Sequence, residues 1–191
     1  APFRVSAAMA SRVVRFRSTT VLWHKERLLN LGIRALPADC RYVAWLDHDI
    51  VLEHDTWVDD TIAQLTTHAV VQPFSLACWS DASGATPPAD LPAGVGEGFQ
   101  LPGFAAAVMS ATDRRRALSH YLLHGHTGFA WAARRDVLEH HGLYDRAIIG
   151  GGDLINAHAF AADDDFLRAR NLYCRDLAPR ERTAIAEWGA G

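Results

Sequence analysis

The chain of 191 residues is long enough to form one domain with a substantial hydrophobic core. Its composition, 49% hydrophobic and 21% charged, excludes a disordered tail, a collagen-like rod and a small disulfide framework. The net charge of −3 provides no basic field, so we expect no nucleic-acid partner. No apolar run approaches the roughly 20 residues of a membrane-spanning helix, so we also expect no transmembrane segment.

Cysteine usage and the N-terminal residues indicate the compartment. Cys40, Cys78 and Cys174 lie far apart and match neither a disulfide framework nor a paired-cysteine zinc site. Residues 1–17 carry several arginines and lack the apolar stretch of a signal peptide. We therefore expect a reducing environment and a cytoplasmic protein.

Apolar periodicity in the first half of the chain predicts strands and helices in alternation. The predicted elements are a short strand at 12–17, a helix at 23–36 that ends before Pro37, a strand at 41–46, a helix beginning at Asp55 or Thr56, and a strand at 70–74. The run 41–46 is almost continuously apolar, which is typical of a strand buried on both faces of a parallel sheet. In the helix after Thr56, the expected buried stripe consists of Val58, Ile62 and Leu65.

The second half begins with a segment rich in glycine and proline, residues 75–103, which we interpret as a long functional loop. The elements predicted after it are a helix at 112–123, a strand at 129–133, a helix at 136–141, a glycine turn at 150–153 with a helix through Phe160, and helices at 163–177 and 179–188. Because strands alternate with helices, the sequence predicts a single α/β domain over residues 1–191 with a mostly parallel central sheet.

Two aspartates directly follow the apolar strand at 41–46. Asp47 and Asp49 stand two residues apart, so in an extended segment their side chains point the same way. Ligands of open α/β sheets bind outside the carboxyl ends of the strands, and paired carboxylates suit a hard divalent cation. The pair therefore predicts a metal site, and the alternative is two solvated aspartates in a turn.

Two further features lie where they could join this site. Gly150, Gly151 and Gly152 permit positive φ and close backbone approach, and they place Asp153 at the start of a helix. Taken alone, this pattern is equally typical of a loop with a capping aspartate. Lys25, the only lysine of the chain, begins the helix at 23–36, where it could meet a phosphate or simply start an amphipathic helix.

The ten histidines match no zinc-protease spacing, and most are expected to be ordinary surface or core residues. His158 follows Asp153 on the same predicted helix. We keep it as a candidate third metal ligand for that reason.

Taken in order, these features resemble a glycosyltransferase of the GT-A fold, of the family-2-type or galactosyltransferase-like kind. Residues 23–33 resemble the helix before the metal motif of that family, and 42–49 resemble the strand leading into its Asp-x-Asp. Residues 126–135, followed by 142–145 and 150–153, resemble its acceptor-side block. The resemblance covers about residues 23–158 and implies a layered, Rossmann-like α/β/α domain.

The resemblance also implies roles for individual residues. The substrate-binding positions it implies are Trp23, Lys25, Asn30, Asp47, Trp131, Gly151 and Gly152. Asp49 would coordinate Mn²⁺ or Mg²⁺ directly, and Asp47 would contact the metal or the donor ribose. Asp153 would be the general base on the acceptor hydroxyl. The implied partners are a nucleotide-sugar donor and a carbohydrate or other hydroxyl acceptor.

The resemblance leaves two parts of the family pattern without a counterpart. The family has a base-holding strand before the matched region and a metal-ligating histidine after it. We therefore expect this chain to be a fragment or a divergent copy.

Two other interpretations of the same residues stay open. Asp47 and Asp49 after an apolar strand also resemble the first motif of haloacid-dehalogenase-type phosphatases, although that family requires a downstream lysine that this chain lacks. The other alternative is a degenerate, non-catalytic transferase-like domain that binds a carbohydrate or a protein.

Overall fold

A computed structural model describes residues 6, 8–80, 100–120, 123–147, 150–163, 183–185 and 187–188, and structural statements below concern these residues. The helices are α1 (Lys25–Ala35), α2 (Trp57–Leu65), α3 (Phe104–Ser110), α4 (Arg114–Ser119), α5 (Arg135–His141) and α6 (Gly152–Phe160). The strands are β1 (Tyr42–Leu46), β2 (Val70–Val71), β3 (Leu76–Cys78), β4 (Gln100–Pro102) and β5 (Ala130–Arg134).

The strands form two antiparallel sheets. The larger one has the order β1-β5-β2, and β5 runs opposite to both neighbours, with Trp45 facing Trp131 and Val71 facing Ala132. The smaller one pairs β3 with β4. The predicted mostly parallel sheet, and with it the GT-A-like layered fold class, is therefore wrong: the described strands form a small mixed α/β fold with antiparallel sheets.

The physical reason for this error lies in the last strand. The unit β1–α2–β2 has the predicted order, and β1 and β2 do run in the same direction because both oppose β5. They are not neighbours, since β5 lies between them. The local pattern of apolar residues indicates that a segment is extended, but it does not indicate which strand the segment pairs with. The direction of β5 relative to its neighbours could therefore not be predicted from the sequence.

The core explains why β5 is central. Its first four residues, Ala130 to Ala133, are all buried, as a strand covered on both faces requires. On one face Trp131 and Ala133 belong to the main core. On the other face Ala132 packs with Leu65 of α2.

In β1 the predicted burial on both faces is wrong. Val43 and Trp45 enter the main core, whereas Ala44 and Leu46 are exposed. An alternating pattern is typical of a strand with one face in the core. The apolar run at 41–46 therefore identified a strand but not its environment.

Several other element predictions can be compared with the described residues. The helices at 23–36, 136–141 and 152–160 and the strands at 41–46 and 129–133 are confirmed to within about three residues. The strand at 12–17 is wrong, because these residues form no regular structure. The buried stripe of α2 is wrong at Val58 and Ile62, which are exposed, and Thr61 is buried instead.

The region 75–103 also differs from the predicted loop. Its ends form β3 and β4, and its centre, 81–99, lies outside the described residues. The predicted helix at 112–123 is confined to α4, which Asp113 caps by accepting a hydrogen bond from the Arg116 N–H. Helix α3 was not predicted. The helix predicted at 163–177 lies outside the described residues except for Asp163. Of the helix predicted at 179–188, the described residues 183–185 and 187–188 are helical.

No helix within the described ranges has both the length and the apolar character needed to cross a membrane.

Candidate active site

Lys25 joins two acidic residues that are far apart in the sequence. Its Nζ lies 2.7 Å from Oδ1 of Asp47 and 3.1 Å from both carboxylate oxygens of Asp153. Its side chain is only 20% exposed. We call Lys25, Asp47 and Asp153 the Lys25 cluster, because one ammonium group connects the start of α1, the end of β1 and the start of α6.

The strand pairing fixes the position of Asp47. It directly follows β1, and its backbone N–H donates a 2.7 Å hydrogen bond to the carbonyl of Phe129, just before β5. Phe129 has a φ of +74°, which residues with a side chain rarely adopt. The antiparallel arrangement therefore places the carboxyl end of β1 beside the loop that leads into β5.

The glycine turn fixes the position of Asp153. Gly150 and Gly151 have φ values of +104° and +84°, which favour glycine, and α6 begins immediately afterwards. Gly128 lets the loop before β5 pass close by, because a Cβ there would lie 3.2 Å from Oδ2 of Asp153. The turn and Gly128 together bring Asp153 to the same rim of the sheet as Asp47.

The environment of Lys25 favours its protonated, positively charged form. Burial acts to lower its pKa, but the hydrogen bonds and charges of Asp47 and Asp153 outweigh that effect and raise the pKa above its ordinary value. Lys25 is therefore a permanent cation near neutral pH. The Lys25 cluster with both aspartates ionised carries a net charge of −1.

A third carboxyl, that of Glu26 on α1, lies beneath the cluster. Glu26 is 3% exposed, and its Oε1 has no hydrogen-bond partner among the described residues. Burial is the main cause that raises its pKa above the ordinary value, and the charges of Asp153 and Asp47 add to it. Lys25 and the backbone of Glu26 oppose the rise without cancelling it.

Aromatic side chains line the loop beside Asp153. His126 stacks on Phe129 with ring centroids 3.9 Å apart, and Trp79 lies 5.3 Å from each of these rings. Burial lowers the pKa of His126, and its Nδ1 accepts a 3.2 Å hydrogen bond from the Gly128 N–H. His126 is thus a neutral imidazole at pH 7.

The donor set for a metal is incomplete in the described part of the chain. No group of three His, Cys, Asp or Glu side chains there is placed to hold a metal ion. Asp49 is exposed, and Asp47 already contacts Lys25. Residues 48 and 49 form a turn, so the extended segment that was expected to point both carboxylates the same way is absent.

His158, the predicted third metal ligand, has another environment. It is fully buried, its Nδ1 lies 2.7 Å from Oδ2 of Asp163, and its ring packs against Phe104 and His124. The structure therefore groups His158 with core residues and not with the Lys25 cluster.

Three other residues that were predicted to bind substrate, Trp23, Trp131 and Asn30, differ in exposure and in hydrogen bonding. Trp23 is 56% exposed just before α1. Trp131 is buried in the core, and its Nε1 donates to the carbonyl of Thr127. Asn30 is buried and bonded to the backbone of Leu143.

Sequence reasoning missed Glu26 and treated His126 only as part of a motif. Glu26 follows Lys25 in a helix whose polar residues were expected to face solvent. The sequence signal that Glu26 differs is its spacing of seven residues from the apolar Ile33, which places both on one face of α1, and both are buried. The clustering of His126 with Trp79 had no sequence signal, because the two residues are far apart in the chain.

The arrangement combines a carboxylate that can accept a proton with a cation that can attract an anion.

Comparisons of the chain with models of known protein families, with curated proteins and with solved structures found no match. The functional proposal below therefore rests on the residues and their geometry.

Proposed function

We propose that this chain is a glycosyltransferase that moves a sugar from a nucleoside diphosphate donor to an acceptor hydroxyl. The observation that supports this proposal best is the contact of Lys25 with both Asp47 and Asp153. The sequence resemblance attaches donor roles to Lys25 and Asp47 and the acceptor role to Asp153. A transferase of this kind needs these groups within reach of one another.

In this proposal Asp153 is the general base. Its side chain is partly exposed at the first turn of α6, where an acceptor hydroxyl could approach and lose its proton to a carboxylate oxygen. Lys25 holds both oxygens of Asp153, which weakens the base. A donor diphosphate that attracts Lys25 would release Asp153, so donor binding would precede proton abstraction.

Asp49 and Asp47, with phosphate oxygens of the donor, would hold Mn²⁺ or Mg²⁺. When bound, such an ion supplies positive charge where the diphosphate departs. Lys25 adds a second positive charge on the protein side. The proposal includes a cytoplasmic location. There the protein would meet nucleotide-sugar donors without needing a membrane segment.

A thermal-unfolding titration tests the proposal. Nucleoside diphosphates should raise the unfolding temperature in the presence of Mn²⁺, because a ligand at 100 times its Kd stabilises the native state by about 2.7 kcal/mol. Asp49→Asn should reduce the shift, and Asp136→Asn, which changes an exposed aspartate on α5, should not. Absence of a shift with every nucleoside diphosphate contradicts donor binding and favours a non-catalytic binding domain.

One observation favours a phosphatase as a second candidate. The haloacid-dehalogenase resemblance requires a lysine beside the nucleophilic aspartate, and Lys25, although upstream in sequence, contacts Asp47 at 2.7 Å. In that case Asp47 would be the nucleophile and Asp49 the acid/base. An assay with a generic aryl phosphate separates the two candidates, since only the phosphatase releases inorganic phosphate from it.

A further inference from the structure

Glu26 is a buried acid that the proposed reaction does not use. It follows Lys25 directly on α1, but Lys25 reaches the cluster while the carboxyl of Glu26 is almost completely shielded from solvent. Its Oε1 lacks a hydrogen-bond partner within the described residues. An ionised carboxylate in such a place is costly, whereas a neutral carboxyl is tolerated more readily.

The carboxyl of Glu26 packs directly against the first residue of α6. A Cβ added to Gly152 would lie 2.3 Å from both Cδ and Oε1 of Glu26, closer than real atoms approach. Gly152 does not have a positive φ, so its backbone would accept alanine if Glu26 were absent. An alanine at this position would therefore require the carboxyl of Glu26 to move.

That contact is one residue away from Asp153. The carboxyl of Glu26 lies against the start of α6, and the next residue, Asp153, lies 3.1 Å from Lys25. The contact between Glu26 and Gly152 is therefore directly adjacent to the Lys25 cluster.

The charged groups that face Glu26 come from three places: Lys25 on α1, Asp47 after β1 and Asp153 on α6. Burial is the largest cause that raises the pKa of Glu26, and the two aspartates raise it further. If Glu26 ionised, the net charge of these four groups would change from −1 to −2. That change would oppose the binding of an anionic donor.

We propose that Glu26 is a positioning residue that acts in its protonated form, its neutral carboxyl filling the space above Gly152 and thereby holding Asp153 against Lys25. The packing part of this inference stands independently of any reaction. The part that concerns turnover rests on the proposed function.

A double-mutant cycle tests the packing. Gly152→Ala should lower the unfolding temperature in the wild-type background, and it should lower it much less in the Glu26→Ala background, where the space is open. Gly32→Ala is the matched control, because it also lies in a helix and its Cβ would meet no atom within 4 Å. Equal losses from Gly152→Ala in both backgrounds would overturn the inference.

A pH series with Glu26→Gln, a neutral isostere, tests the protonation state. The pKa of Glu26 is raised in the folded state. The stability that the neutral carboxyl contributes to the folded protein is therefore fully present below the ordinary pKa of 4.5, and it is lost as the pH rises through the folded pKa. The unfolding temperature of the wild type, relative to the variant, should therefore fall with rising pH. A constant difference would overturn the inference, and Glu53→Gln, at an exposed glutamate, should show such a constant difference.

Turnover provides the readout that packing alone would not change. In the wild type, glycosyl transfer should decrease as the pH rises through the folded pKa of Glu26, in a limb that Glu26→Gln lacks, and Glu53→Gln should keep that limb. Superimposable profiles of wild type and Glu26→Gln would overturn the positioning role. If the wild type transfers no sugar, the proposed function fails, and the two stability experiments still decide the inference on Glu26.

Discussion

At the scale of single residues, the position of the Asp153 carboxylate depends on its neighbours. Its carboxylate receives two hydrogen bonds from the Lys25 ammonium, and Gly128 leaves it just enough room. Because the group is about one-third exposed, its contribution to stability is small and its contribution to chemistry can be large.

The corresponding prediction is a loss of activity without a loss of fold. Asp153→Asn keeps the size of the side chain and one oxygen acceptor, but its amide cannot take a proton from an acceptor hydroxyl. We expect turnover to fall by about 10²–10⁴-fold, the usual contribution of a general base. Initial rates of sugar transfer measure this, and unchanged turnover would remove Asp153 from the mechanism.

Two controls belong to this measurement. The unfolding temperature of Asp153→Asn should stay close to that of the wild type, since only a partly exposed ion pair is lost. Asp136→Asn should leave turnover unchanged, because Asp136 pairs with Arg134 at an exposed position on α5.

At the scale of elements, Asn30 connects α1 to the chain that follows α5. Its Nδ2 donates to the carbonyl of Leu143, and its Oδ1 accepts from the N–H of the same residue. The two bonds satisfy both backbone groups of a buried residue that leads toward the glycine turn. The asparagine thus helps to place α6 relative to α1, on which the Lys25 cluster depends.

Replacing Asn30 with alanine should destabilise the protein by about 2–6 kcal/mol, because two buried backbone groups lose their partner and each costs about 1–3 kcal/mol. Urea denaturation measures the change. Gln64→Ala, which removes an exposed amide from α2, should stay within about 0.5 kcal/mol of the wild type. Similar losses in the two variants would mean that the bonds of Asn30 add little.

On the scale of the whole molecule, buried titratable groups make stability depend on pH. Burial is the main cause that lowers the pKa of His124 and of His126 below the ordinary 6.5, so both are neutral in the folded state at neutral pH. The unfolded chain binds protons more readily at these positions. Their contribution to stability is therefore present above pH 6.5 and is lost as the pH falls toward the folded pKa values.

We expect the unfolding temperature to fall between about pH 7 and pH 5.5, and to fall less in His126→Asn. The asparagine oxygen can still accept the Gly128 N–H that Nδ1 of His126 accepts now, but it cannot titrate. His140→Asn, at an exposed position on α5, should follow the wild-type curve. Identical slopes for wild type and His126→Asn would contradict the assignment of a partly buried, neutral imidazole.

The sequence by itself determined the elements with strong local signals. The helix α1 with its end before Pro37, the glycines before α6 and the apolar run of β1 each reflect forces that act within a few residues. It also singled out Lys25, Asp47 and Asp153, because each stands at the end of such an element.

Only the tertiary structure decided how these elements meet. The place of β5 between β1 and β2, the burial of Glu26 against Gly152 and the grouping of His158 with Asp163 all depend on contacts between residues distant in the chain. Such contacts are selected by the packing of the whole core, since a strand or a helix has the same local pattern whichever partner it finds.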